Sequence, residues 1–294
     1  MKKKIAVAMS GGVDSSLTAA LLLEQGYDVF GVTMTLSDDS REAGGSTAVA
    51  DAKKVADTLG IKHYVVNYHA EFQKNVINYF IREYARGRTP NPCVACNNKI
   101  KFGALLEDCL KLGADAVATG HYARIEYDEN YRRYVLKKGL DTHKDQSYVL
   151  YTLNQFALEH FLLPLGNYTK TQTRQLAEKL DLPVAHKPES QEICFIPNDD
   201  YKAYIKAKAP HILKAGDIVD TEGNVLGRHE GVPLYTVGQR KGLGIAAAHP
   251  LYVTGLDVKH SRVIVGENSA TLAQGLVAQN LNFITKDNFT APFT

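Results

Sequence analysis

The sequence predicts an α/β protein: a parallel sheet with flanking helices, followed by a smaller β-rich domain. Three observations carry that expectation. Apolar, β-branched runs alternate with helix-period segments through residues 1–200, the pattern of strand–helix–strand crossovers. A Ser/Gly turn joins the first such run to the first helical segment. Beyond Tyr201 the signals become short β runs and turns. The expected boundaries are 1–200 for the α/β domain, 201–270 for the β-rich domain and 271–294 for the start of a further β element.

Each element has a local reason. Residues 5–9 are apolar and read as the first strand, and the helix after the turn fades at Gly26. Residues 27–36 (YDVFGVTMTL) read as a buried second strand after which 37–46 is a polar loop. In 47–59, Val49, Ala52, Val55, Ala56 and Leu59 share one helical face, with Gly60 at the end. Residues 63–68 are a third strand and 72–85 a long helix. The stretch 87–97 (GRTPNPCVACN) has two prolines and no period, so it is expected to be a structured loop. In 100–112, Phe102, Leu105, Leu106 and Cys109 form one apolar face, which makes Cys109 a core thiol. Residues 115–119 are a fourth strand, and 125–127 and 134–137 a surface hairpin. THKDQS leads into a Tyr/Leu-rich helical stretch, and Thr169 caps a helix over 170–180. Further on, 216–219, 234–242, 252–257, 261–265 and 276–284 are candidate β runs.

Composition sets outer limits. A chain of 294 residues is long for one core, and no apolar run is long enough to span a bilayer. The basic start Met1-Lys2-Lys3-Lys4 precedes only a short apolar run, which reads as a strand rather than an export leader. Four cysteines do not make a disulfide scaffold, so a reducing cytoplasm is expected. Net charge is +2 and says little about partners. Between Tyr201 and His249, however, seven Lys/Arg face four Asp/Glu, a mild basic excess that suits a polyanion.

The chemistry concentrates in two places. Ala8-Met9-Ser10-Gly11-Gly12-Val13-Asp14-Ser15-Ser16 links a strand to a helix N-terminus. Glycines let the backbone approach an anion, and the helix dipole adds partial positive charge. The loop lacks the lysine of a G-x-x-x-x-G-K-[ST] phosphate loop, so it is not of that type. The second place is Cys93-x-x-Cys96, with Cys194 far away in sequence. No second C-x-x-C or nearby His pair completes a structural zinc set. A redox pair at a helix start and a sulfur-transfer site both remain open.

Taken together, the segments AMSGGVDSS, RTPNPCVACNNKIKFG, ATGHYA, DTHKDQSYVLYTL, ESQEICFI, GVPLYTVGQRKGLGI and PLYV resemble the tRNA-specific 2-thiouridylases. That family of PP-loop ATP pyrophosphatases has an adenine nucleotide alpha hydrolase-like fold. The resemblance implies that Ala8, Met9, Ser10, Gly11, Gly12, Val13, Asp14 and Ser15 hold ATP, that Met34 and Gly120 contact its adenine or ribose, and that Mg²⁺ accompanies it. It implies attack of the C2 oxygen of the wobble uridine (position 34) on the α-phosphorus, then replacement of AMP by sulfur. Asn91, Pro92 and Cys93 would line the base pocket; His121, Lys144, Asp145, Gln146, Arg240 and Lys241 would contact tRNA; Asp14, Cys96 and Cys194 would be catalytic. In the family's usual scheme Cys194 carries a persulfide that Cys96 attacks, releasing sulfide or leaving a Cys96–Cys194 disulfide.

Two departures matter. Many members have Asp where this chain has Cys93. Three cysteines without a fourth (Cys93, Cys96, Cys194) suit a [4Fe–4S] cluster with one open iron for hydrosulfide, and this is expected ahead of the persulfide. The family also continues through a C-terminal β-barrel, so 271–294 reads as the truncated start of one. Other function classes are an amide-forming PP-loop synthetase acting on a small molecule, which would not need the cysteines, and a metal-binding nucleic-acid adaptor, which would not need an intact loop. The expected partners are tRNA and an upstream sulfur donor (a relay protein, a cysteine desulfurase or free sulfide), with no membrane.

Overall fold

A computed structural model describes residues 2–37, 46–189 and 193–286. Met1, residues 38–45 of the expected 37–46 loop, Ser190, Gln191 and Glu192 of the ESQEICFI segment, and 287–294 lie outside the described residues. The chain divides into two units. One takes the residues up to Asn75, Cys93–Phe195 and the described residues from Leu281; the other takes Val76–Pro92 and Ile196–Asn280.

The first unit is built on a five-stranded parallel sheet in the order β3-β2-β1-β4-β7. Its strands are β1 (Lys4–Ala8), β2 (Asp28–Thr35), β3 (Lys62–Asn67), β4 (Ala116–Ala118) and the two-residue β7 (Phe161–Leu162). Ile5, Ala6 and Val7 are fully buried, as a central strand covered on both faces requires. α1 (Val13–Glu24) and α2 (Ser46–Leu59) supply Ala19, Leu22, Ala52, Val55 and Ala56 to the core around Ile5 and Val7. On the other side of α1, Val13, Leu17 and Leu21 pack with Ala177, Leu182 and Ala185. Ala177 lies on α8 (Lys170–Lys179), which starts at a capping box: the Thr169 side chain accepts from the Gln172 amide, and the Gln172 side chain accepts from the Thr169 amide. A hairpin of β5 (Ala123–Asp128) and β6 (Arg133–Lys138) completes the strands of this unit.

Two helical stretches widen midway. α3 (His69–Phe72) continues through π-helical Gln73–Ile77 into α4 (Asn78–Ala85). α5 (Pro92–Cys96) continues through π-helical Asn97–Ala104 into α6 (Leu105–Lys111). Cys93 and Cys96 are therefore on a helix, not in the expected loop. Pro92, with its φ already helical and no N–H to lose, is a favourable first residue. Cys109 on α6 is buried, as its place on the apolar face requires.

α4 joins the second unit through aromatic packing. Phe80 and Tyr84 meet Tyr204 and Tyr201 of α9 (Tyr201–Lys208), with ring centroids 6.3 and 5.0 Å apart. This unit's sheet runs β10-β11-β8-β9, from Tyr252–Asp257, Arg262–Gly266, Gly216–Val219 and Val225–His229.

Three further expectations changed. Residues 234–242 are not a strand, because Gly238 and Gly242 sit at φ +88° and +72° and break the extended path. Residues 276–284 form no strand among the described residues; Leu276 and Val277 stand exposed with no neighbour to pair. The Tyr/Leu-rich stretch makes only a 3-10 turn, Ser147–Val149, before Asn154 caps α7 (Gln155–His160). The strand Val225–His229 and the Asp200-capped α9 were hidden by polar and glycine residues in their patterns. Among the described residues no helix is long and apolar enough to cross a membrane.

The capping box makes a checkable statement about α8. Thr169→Ala removes the acceptor at its N-terminus and is expected to cost about 1 kcal/mol, read as a lower denaturant midpoint with an unchanged slope.

Candidate active site

The loop lies where the topology reverses. Val7 of β1 pairs with Gly31 of β2 on one side and Ala118 of β4 on the other, so residues 9–12 emerge between the carboxyl ends of β2 and β4. Crevices at such switch points are where open parallel sheets bind ligands. Gly11 adopts φ +70°, and a Cβ there would lie 2.5 Å from the Ala48 carbonyl of α2; only glycine fits. Gly12 is the N-cap of α1 and has no side chain with which to satisfy the helix's first N–H groups. Hydroxyls brace the turn: Ser15 Oγ accepts from the Ser10 amide (3.1 Å), and Ser16 Oγ donates to the Gly12 carbonyl (2.8 Å).

The expected nucleotide contacts flank this turn. Ala8 ends β1, Met9 donates its amide to the Val32 carbonyl (2.8 Å), and Val13 opens α1. Met34 is half-buried near the carboxyl end of β2. Gly120 follows β4, and a Cβ there would come within 2.9 Å of Asp14 and the Ser15 amide, so the two loops touch through backbone.

Asp14 is the hub of a charge network invisible in the sequence. Lys170 Nζ donates to both its oxygens (2.8 and 2.9 Å), and Tyr122 Oη donates to Oδ1 (2.9 Å). Tyr122 Oη also lies 3.0 Å from Thr173 Oγ1, which therefore donates to it. Burial first and the Asp14 charge second push the Tyr122 phenol far up, which keeps it a proton donor. Lys170 also reaches Glu189 Oε1 (2.9 Å), Lys144 takes Oε2 (2.7 Å), and Arg174 stands 3.6 Å away. Burial alone would raise Glu189, but the hydrogen bonds from Lys144 and Lys170 outweigh it and hold the carboxyl at about 2. Lys187 Nζ caps the loop from the other side, donating to the Gly11 carbonyl (3.0 Å) and pairing with Asp51. Lys170, Lys187, Glu189, Tyr122 and Arg174 were missed by sequence reasoning. They stand more than a hundred residues from the loop, and no local spacing connects them to it.

The three cysteines lie in the same unit as the loop. Cys93 is exposed, Cys96 buried one helical turn later, and Cys194 exposed but anchored by Phe195, whose buried ring meets Phe72 at 5.6 Å. Cys194 keeps solvent on one side, yet the surrounding protein desolvates its charged form and pushes the thiol up to about 12; Cys96 adds to this, Lys101 opposes it, and Cys93 adds again. The Cys96 thiol is likewise raised by burial against the pull of Lys101. Both thiols therefore sense Lys101, on the π-helical stretch.

Their donor chemistry suits a cluster, but their arrangement does not. Among the described residues no three His, Cys, Asp or Glu side chains gather where one ion would sit. The expected three-cysteine [4Fe–4S] site is thus not assembled: Cys96 faces the core, whereas Cys93 and Cys194 keep solvent access.

The remaining expected residues are scattered. His121 is buried, its Nδ1 2.8 Å from Thr119 Oγ1, and burial, with Lys101 second, pushes its pKa well down, so it points inward and neutral. Asp145 accepts from the Gly139 amide and the Ser147 hydroxyl, while Gln146 accepts from the Tyr122 amide; both shape the loop beneath Lys144. Asn91 is exposed and Pro92 buried at the start of α5. Arg240 and Lys241 are exposed in the second unit, where Arg240 borders a cavity of about 460 Å³ with His249 and Leu251.

Fold and site together define an α/β protein with an anion loop at the switch point of its sheet and, besides Cys109, three cysteines in the same unit. Comparison with known families carries this further. The profile described as tRNA methyl transferase HUP domain matches residues 3–198, and that described as tRNA methyl transferase PRC-barrel domain matches 202–267. A tRNA-specific 2-thiouridylase MnmA of Carboxydothermus hydrogenoformans is 52% identical over 99% of this chain and 82% of its own length. The MnmA 1 of Caldanaerobacter subterraneus subsp. tengcongensis is 54% identical over 97% and 80%. A solved U34-tRNA thiolase NcsA of Methanococcus maripaludis, with its [4Fe–4S] cluster, aligns with 71% of this chain and 67% of its own at 21% identity and TM-score 0.42, too loose a likeness to speak for this chain's chemistry. The chain belongs to the tRNA-specific 2-thiouridylase family.

The Glu189 network has a pH signature. A carboxyl held low in the folded state stabilises it fully above the unfolded value near 4.5 and loses that stabilisation as pH falls through about 2. Wild type is expected to exceed Glu189→Gln in unfolding free energy at pH 6, with the difference shrinking progressively below pH 4.5; an unchanged difference at pH 3 would contradict the network.

Proposed function

We propose that this chain is a tRNA-uridine 2-sulfurtransferase that activates the wobble uridine with ATP and inserts sulfur by thiol chemistry. The observation that carries the reading is the glycine-specific anion loop at the N-terminus of α1, in a chain of the tRNA-specific 2-thiouridylase family that places Cys96 and Cys194 in the same unit. An amide-forming synthetase would have no use for these cysteines, and an adaptor none for a braced, glycine-specific anion loop.

The loop of Ser10, Gly11, Gly12, Asp14 and Ser15 offers backbone N–H groups and a helix N-terminus to the β- and γ-phosphates. Asp14 is the carboxylate that would hold Mg²⁺, and the ion supplies charge neutralisation for departing pyrophosphate. The uridine C2 oxygen displaces pyrophosphate from the α-phosphorus and leaves C2 activated. The outer sulfur of a Cys194 persulfide then attacks C2, and AMP departs with the former oxygen. Cys96 Sγ attacks Cys194 Sγ, breaking the sulfur–sulfur bond. That leaves a C2 thiocarbonyl and a Cys96–Cys194 disulfide. A dithiol reductant resets the pair, and an upstream persulfide donor reloads Cys194.

Lys101 is the cation that favours both thiolates against burial. Exposed Asn91 and Cys93 lie at the start of the helix carrying Cys96, which supports their role beside the target base. Lys144, Arg240 and Lys241 have accessible charge for phosphates, whereas His121 does not. The β-rich unit bearing Arg240 and Lys241 is read as tRNA-contacting.

Cys96→Ser and Cys194→Ser are each expected to abolish thiolated uridine, with tRNA-dependent pyrophosphate release kept within about an order of magnitude. Loss of pyrophosphate release in both would remove the sulfur-step assignment. Anaerobically prepared, iron-free protein supplied with a persulfide donor is expected to turn over; activity that tracks bound iron would reinstate the cluster.

A further inference from the structure

Met9 is the last residue tied to the sheet before the loop turns, and both of its backbone polar groups are held by β2. Its amide donates to the Val32 carbonyl (2.8 Å), and its carbonyl accepts from the Thr33 hydroxyl (2.8 Å). Thr33 and Met9 are only 1% and 2% exposed, so water cannot replace the second bond. The Thr33 hydroxyl has another neighbour: His63 Nε2 of β3 lies 2.7 Å from the same oxygen. A hydroxyl carries one proton, and a carbonyl can only accept. That proton therefore goes to Met9, and His63 must donate to Thr33 through an Nε2–H.

The surroundings hold the ring to this task. His63 pairs with Gly31 of β2, where a Cβ would meet Met9 Sδ at 2.5 Å and His63 Cδ2 at 3.2 Å. The missing side chain leaves the space that Met9 and the imidazole share. Burial first, and Lys53 of α2 second, lower the His63 pKa against the pull of Asp57, which favours the neutral ring. A neutral ring has one N–H, and Thr33 claims it. The strand then connects this bond to the nucleotide contacts. Met34, expected on the adenine or ribose side, directly follows Thr33, and Ser10 of the anion loop directly follows Met9. One hydroxyl, oriented by His63, ties the two sides together.

We propose that His63 is a positioning residue for the nucleotide: acting through Thr33, it sets the distance between Met34 and the anion loop. The role rests on the reading that ATP binds at this loop. ATP must meet the base-side contact and the phosphate-holding turn at once, so its binding depends on that distance. AMP lacks the β- and γ-phosphates that the turn would hold, so its binding does not.

The test uses the full chain without tRNA. Dissociation constants are measured for ATP by isothermal titration calorimetry and for AMP by displacement of ATP, both with Mg²⁺. His63→Phe removes the donor and is expected to weaken ATP binding about fivefold while AMP binding stays within about twofold. His63→Gln, whose side-chain amide offers an N–H at similar reach, is expected to restore most of the ATP affinity. Thr33→Val is expected to match His63→Phe, and the double variant to bind ATP no more weakly than Thr33→Val alone, because both changes cut one link. Should Thr33→Val fail to fold, the contrast between His63→Phe and His63→Gln carries the test. Full ATP affinity in His63→Phe, equal losses for ATP and AMP, or no rescue by His63→Gln overturns the positioning role. Absence of ATP binding in wild type overturns the loop reading itself.

Discussion

An anion loop with a carboxylate and no cation of its own is the constraint on which the rest of this protein turns. Asp14 sits in the first turn of α1, beside backbone arranged for phosphate. Left alone and half-buried, such a carboxylate is poorly solvated and unpaired, which destabilises the fold. The answer comes from 156 residues away, at the first position of α8. Seating Lys170 there fixes where α8 must lie, and α8 in turn closes the layer over Val13, Leu17 and Leu21. Charge and packing impose the same placement. Lys187 repeats the logic on the other flank, against the Gly11 carbonyl.

The thiols follow a different rule. Burial raises both Cys96 and Cys194, so at neutral pH they rest as thiols, although Lys101 favours their charged forms. A resting thiol is protected from adventitious oxidation and metal capture. Reactivity then depends on what arrives, and a persulfide, being more acidic than a thiol, suits such a site better than a bare thiolate would. The same burial turns Cys96 toward the core and away from a shared metal position.

Much of this was legible in one dimension. The loop, its flanking strand and helix, the core role of Cys109 and the Thr169 cap rest on local chemistry: glycine freedom, apolar period, a hydroxyl before a helix. The places where reading failed share one cause. Pro92 and two cysteines looked like a loop because five residues are too few to display a helical period. Residues 276–284 have the alternation of a strand, but alternation supplies no partner. His121 stands in a motif beside the site, yet its side chain turns inward to Thr119, a choice made by the packing of Phe102 and Lys101 around it.

By itself, then, the sequence determined the α/β class, the phosphate-holding turn and the residue types available for sulfur transfer, because these depend on backbone freedom and side-chain chemistry within a few positions. Only the tertiary structure decided which charges serve Asp14, that Lys101 favours the charged forms of Cys96 and Cys194, and that no three ligating side chains gather for a cluster among the described residues. Those outcomes depend on distances between segments separated by roughly a hundred residues or more, which are settled when sheet order and helix packing bring them together.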